Sequence, residues 1–127
     1  MKFMTIGVLG SIENAPGDDE LTAALRGSIE QIANDAGVDL SNVTVRAHAR
    51  NLRLGTFIAR ITEQLSMCFE SIFDRFSQQR EQDQILGSDR LLYVDGGNER
   101  RRIDVLRIAN DARKILYVVD VAQHRAA

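Results

Sequence analysis

A chain of 127 residues with 44% hydrophobic and 27% charged side chains has the composition of one folded domain, which excludes a disordered or fibrous chain. A net charge of −2 excludes the strongly basic field of a general nucleic-acid or membrane-surface binder and leaves only local basic patches open. The single cysteine, Cys68, excludes an internal disulfide and a cysteine-rich zinc site, and no apolar run nears the roughly 20 residues of a membrane span.

The expected product is one cytoplasmic domain over residues 1–127, with no membrane partner. Residues 3–9 read as its first strand. Phe3 and Leu9 lie on one face and Met4, Ile6 and Val8 on the other, so both faces are apolar, as in an interior strand. A secretory signal is the competing reading, but Thr5, Gly7 and Gly10 interrupt its apolar run. Residues 11–17 hold the only proline, Pro16, and read as a loop. A helix follows over 18–36. Asp18, Asp19 and Glu20 suit its N-terminus, Leu21, Leu25, Ile29, Ile32 and Ala36 recur on one face, and Gly37 stops it. Residues 43–50 alternate, with Val43, Val45, Ala47 and Ala49 on one side and Thr44, Arg46, His48 and Arg50 on the other. That pattern is a half-buried strand with one polar face, a habit of antiparallel sheets.

The next stretch supports two readings. In the one adopted, Asn51 and Leu52 turn the chain, 53–61 form a hairpin strand around Phe57 and Ile58, and a helix starts near Thr62. That helix carries the stripe Leu65, Cys68, Phe69, Ile72, Phe73 and Phe76 and ends in a polar tail over 78–84. The alternative is one helix from Thr56 to about residue 82, roughly 40 Å long at the helical rise. Residues 87–89 then turn, and 90–94 form a strand stopped by Gly96 and Gly97. Residues 98–114 read as a helix with Asn98 or Glu99 near its start, apolar Ile103, Leu106 and Ala109, and Arg113 and Lys114 near its end, with a strand over 102–109 as the alternative. Residues 115–121 are a strand and 123–127 a tail. The order predicts an α+β two-layer sandwich: a βαββαβ, ferredoxin-like arrangement with an extra C-terminal strand and a third helix. If the stretch from Thr56 is all helix, a small three-layer α/β fold follows instead.

Catalytic residues are hard to assemble. His48 stands between Arg46 and Arg50, His124 is close to the chain end, and no serine occupies a Gly-x-Ser-x-Gly elbow. Cys68 falls in the apolar stripe, where a thiol packs as a small hydrophobe. Asp18, Asp19 and Glu20 serve the helix start rather than a metal. No catalytic residue, metal site or cofactor is expected, and an enzyme is the less favoured reading.

Three functions compete. The leading one is a non-enzymatic interaction or assembly module. The stripe spans about 160° of a helical wheel, wider than one packed face needs, so Phe69, Phe73 and Phe76 are assigned to an interface with a second copy or another protein. A homo-oligomer, or a subunit of a larger bacterial or phage complex, would result. The second function is a small-molecule or nucleotide binder that uses Gly7, Gly10 and Ser11 as a phosphate loop. Neither the Gly-x-Gly-x-x-Gly spacing nor a P-loop lysine is present, and this reading requires a helix start close to Gly10. The third is anion or nucleic-acid binding by a basic sheet face of Arg46, His48 and Arg50, joined by Arg53. No stacking aromatic lies on that strand, so nucleic acid is not the favoured partner. Arg100, Arg101 and Arg102 form a second basic cluster, read as a solvated helix turn.

Overall fold

The computed structural model describes residues 2–12 and 17–121; most of the loop around Pro16 and the tail with His124 lie outside them. Strands and helices alternate: β1 (Met4–Gly10), α1 (Asp18–Ala36), β2 (Val43–His48), α2 (Leu52–Gln64), β3 (Cys68–Ile72), α3 (Gln78–Leu86), β4 (Arg90–Asp95), α4 (Glu99–Asp111) and β5 (Ile115–Asp120). A 3-10 turn, Leu40–Asn42, leads into β2. The five strands form one sheet in the order β3-β2-β1-β4-β5, and every pairing is parallel. Parallel neighbours need crossovers, and the helices supply them.

The pleat sorts side chains between the two faces. Met4, Ile6, Val8, Leu92, Val94 and Val119 join Val43, Val45 and Ala47 in the larger core, packed against α1 and α2. Leu9, Ile72 and Tyr93 point the other way and meet Ile85 of α3 and Val105 of α4. Helices on both faces make three layers. Leu21, Leu25, Ile29 and Ile32 of α1 are wholly buried, each contributing about 1.5–3 kcal/mol relative to exposure. Gly37, at φ 68, donates to Ala33 and Asn34 carbonyls and ends that helix in the left-handed conformation.

Mixed helix and strand in one sheet-based fold is as expected, but the ferredoxin-like order is not what forms, because that order needs antiparallel neighbours. The error begins at residue 51. Asn51 does not turn a hairpin; its side-chain oxygen accepts from the Leu54 N–H at 3.2 Å and starts α2. Phe57, Ile58 and Ile61 are therefore the buried stripe of a helix. The helix expected from Thr62 through a polar tail over 78–84 is also absent. The chain leaves α2 after Gln64, Ser66 takes a positive φ of 56, and Met67 N–H bonds back to the Thr62 carbonyl at 2.8 Å. Residues 68–72 then pair with β2 as an edge strand. The apparent stripe joined three separate places: Leu65 caps the end of α2, Cys68, Phe69 and Ile72 belong to β3, and Phe73 and Phe76 to the loop after it. The polar tail is itself a helix, capped by Ser77, whose hydroxyl accepts from Arg80 N–H at 3.2 Å.

The polar face of β2 misled for a physical reason. The helix packed on that side is the short α3, nine residues long. Thr44, Arg46 and His48 stay half-buried, and carboxylates answer two of them. Arg46 meets Glu70 at 3.4 Å and His48 meets Glu81 at 3.4 Å. Among the described residues, no helix is long and apolar enough to cross a membrane.

Candidate functional site

In a parallel sheet every strand ends at the same edge, and there the following helix begins. Here the direction of winding reverses at β1, which lies between β2 and β4. Loops from β1 and β4 then diverge to helices on opposite faces and leave a crevice above the carboxyl edge. A cleft of about 440 Å³ opens beside that point, above β1 and β2. Val8, Gly10 and His48 form its floor; Leu52 and Leu54 of α2 stand on one side, Gln78, Glu81 and Gln82 of α3 on the other, and Arg101 reaches in from α4. The first turns of three helices thus border one cavity, and their dipoles favour negative charge there.

Glu81 organises the cleft wall. It is almost fully buried, at 1% exposure. Its Oε2 accepts from the Asp74 N–H and from Arg50 Nε, both at 2.9 Å, while Oε1 lies 3.4 Å from His48 Nδ1. The Asp74 amide, opposed by burial and helped by Arg50 and His48, holds its carboxyl below the ordinary value of 4.5. An ionised carboxylate in that position fixes the Arg50 guanidinium, which also donates through Nη2 to the Asp74 carbonyl at 3.2 Å. Arg50 lies over the Phe73 ring, 5.0 Å from its centroid. Asn51 closes the floor, donating from Nδ2 to the Gly10 carbonyl at 3.1 Å.

The sequence-derived candidates scatter. Of the basic set, His48 and Arg50 reach the cleft. Arg46 pairs with Glu70 along the sheet, and Arg53 donates to the Ile12 carbonyl at 3.4 Å, bracing the chain after β1. Of the glycine loop, Gly10 touches the cleft, but close packing accounts for both glycines. A Cβ at Gly7 would lie 2.5 Å from the Ile85 carbonyl, and one at Gly10 would strike the Val94 carbonyl, with φ at +120 besides. Ser11 N–H bonds to that same carbonyl at 3.1 Å. The following helix starts at Asp18 rather than near Gly10. The three phenylalanines share no helix face. Phe69 is half-buried against the larger core, while Phe73 and Phe76, at 59% and 83% exposure, occupy the loop after β3.

Sequence reasoning missed Asn51, Gln78, Glu81 and Gln82, and it assigned Arg101 to a solvated turn. The cap residues Asn51, Ser77 and Asn98 were the available signal, since each marks a helix start and a parallel sheet gathers helix starts at one edge. Arg102, next to Arg101, turns instead to the buried Asp95 at 3.4 Å. Among the described residues, no group of three or more His, Cys, Asp or Glu side chains could hold a metal ion. The chain matches no family model, no curated protein and no solved structure.

Proposed function

We propose that this chain is a small-molecule-binding domain that takes an anionic ligand in the cleft above β1 and β2. One observation carries the reading: three helix starts, with Arg50, His48 and Arg101, converge on a cavity whose 440 Å³ falls within the roughly 300–1,000 Å³ of ligand sites. Glu81 already neutralises part of Arg50. Arg101 has no carboxylate partner among the described residues, so it is the cation left for a ligand. The test is calorimetric titration of the full chain with inorganic pyrophosphate. Saturable one-site binding that weakens with salt and is lost in Arg101→Glu supports the proposal. Absence of saturable binding, or equal binding by Arg101→Glu, overturns it.

Assembly remains a second reading, at a different surface from the one expected. Ile103, Leu106, Ile115 and Val118 are exposed apolar residues of α4 and the edge strand β5. Apolar side chains beside an open edge favour pairing with another chain. On this reading the protein is a non-enzymatic homo-oligomer joined at β5, and Val118→Asp would return it to monomer in sedimentation velocity.

A further inference from the structure

Resting on the anion-cleft reading, we infer that the ligand is a nucleotide, whose base stacks on Arg50 while its phosphate faces Arg101. Two in-plane hydrogen bonds, Nε to Glu81 at 2.9 Å and Nη2 to the Asp74 carbonyl at 3.2 Å, lock the Arg50 guanidinium plane. Phe73 supports it, 5.0 Å away. Yet the Arg50 side chain is 43% exposed and lines the cleft. A flat cation clamped at its edges and backed by an aromatic ring is a preformed stacking platform, and guanidinium planes serve bases as aromatic rings do. Holding the plane in advance removes the side-chain ordering cost that a free arginine carries into binding.

The rest of the wall has matching chemistry. Gln78 and Gln82 lie one turn apart on α3 and both line the cleft. Their side-chain amides have no partner among the described residues. Amides offer one acceptor and two donors, the groups that pair with the polar edge of a base. Leu52 and Leu54 supply an apolar wall opposite. A plain anion site needs none of these: neither a backed cation, nor idle amides, nor an apolar wall.

The experiment compares four probes by calorimetry on the full chain: adenosine 5′-monophosphate, uridine 5′-monophosphate, ribose 5-phosphate and a short oligothymidylate. The expected result is that both mononucleotides bind about tenfold or more tighter than ribose 5-phosphate, the gain one stacked base brings. Arg50→Lys keeps the charge but removes the plane, and Phe73→Leu removes the backing; each should shrink that ratio toward one. Phe73 is exposed, so Phe73→Leu keeps the test readable if Arg50→Lys fails to fold. Ribose 5-phosphate binding as tightly as the nucleotides overturns the stacking inference and leaves the anion cleft standing. Binding by none of the four overturns the nucleotide inference, and the anion cleft falls with it only if pyrophosphate also fails to bind. Oligothymidylate binding that depends on Phe73 while mononucleotides bind weakly keeps the platform and identifies its ligand as a nucleic-acid strand.

Discussion

Two glycine-to-alanine substitutions should move stability in opposite directions. Gly10 ends β1 at φ +120, and a Cβ there would run into the Val94 carbonyl of β4. Alanine must leave that conformation or push β1 away from β4, the central pair of the sheet. Strain in a rare backbone region costs about 1–3 kcal/mol, and displacing the ladder adds to it, so Gly10→Ala should lose about 3 kcal/mol or more. Gly27 sits in α1, with nothing within 4 Å of its added Cβ. There alanine only relieves the helical penalty of glycine, and Gly27→Ala should gain about 0.5–1 kcal/mol. Urea unfolding followed by far-ultraviolet circular dichroism measures both. With a slope of about 1–3 kcal/mol per molar for a small protein, the Gly10→Ala midpoint should fall by roughly 1–3 M. A Gly10→Ala protein within about 1 kcal/mol of the parent would refute the close β1–β4 approach, and with it the switch point beside the cleft.

Other expectations follow from single residues. Ser88 Oγ is buried with no hydrogen-bond partner among the described residues, so Ser88→Ala should leave thermal stability unchanged or raise it by about 1 kcal/mol; a clear loss would show that the hydroxyl is satisfied in solution. Glu81 has a folded pKa below its ordinary value, so its stabilising contribution is full above that value and disappears as pH falls through the folded one. Glu81→Gln should therefore unfold more easily at neutral pH and show a shallower acid limb than the parent in pH-dependent melting; parallel curves would contradict this. Cys68 is exposed on edge strand β3. Mass spectrometry should find it alkylated by iodoacetamide in the native protein, whereas a thiol packed in a helical stripe would be protected until unfolding.

Where local signals were complete, the fold was legible in the chain. The helix over 18–36 needed only its acidic start, its apolar spacing and Gly37, and the structure places α1 over the same residues. Strands at both ends of the chain and the helix over 98–114 also lie close to where they were expected. The stretch from 51 to 82 was not legible, because Asn51 suits a turn as well as a cap and the break between α2 and β3 is unmarked. Ser66 is neither glycine nor proline, yet it takes positive φ. Two residues later β3 begins and takes in Phe69, one of the phenylalanines that looked helical. Losing that strand hid the parallel topology, and the topology is what assembles the site. His48 and Arg50 were visible as a basic pair. Glu81, Gln78 and Gln82 looked like a fraying polar tail, since only the folded chain brings Glu81 across 31 to 33 residues to Arg50 and His48.

The most direct test of the account is an amide chemical-shift map of the isotope-labelled full chain titrated with inorganic pyrophosphate. A ligand in the cleft should give saturable shifts clustered at Gly10, His48 to Leu54, Gln78 to Gln82 and Arg101, which border it. Shifts that never saturate, or that gather instead on α4 and β5, would contradict the account.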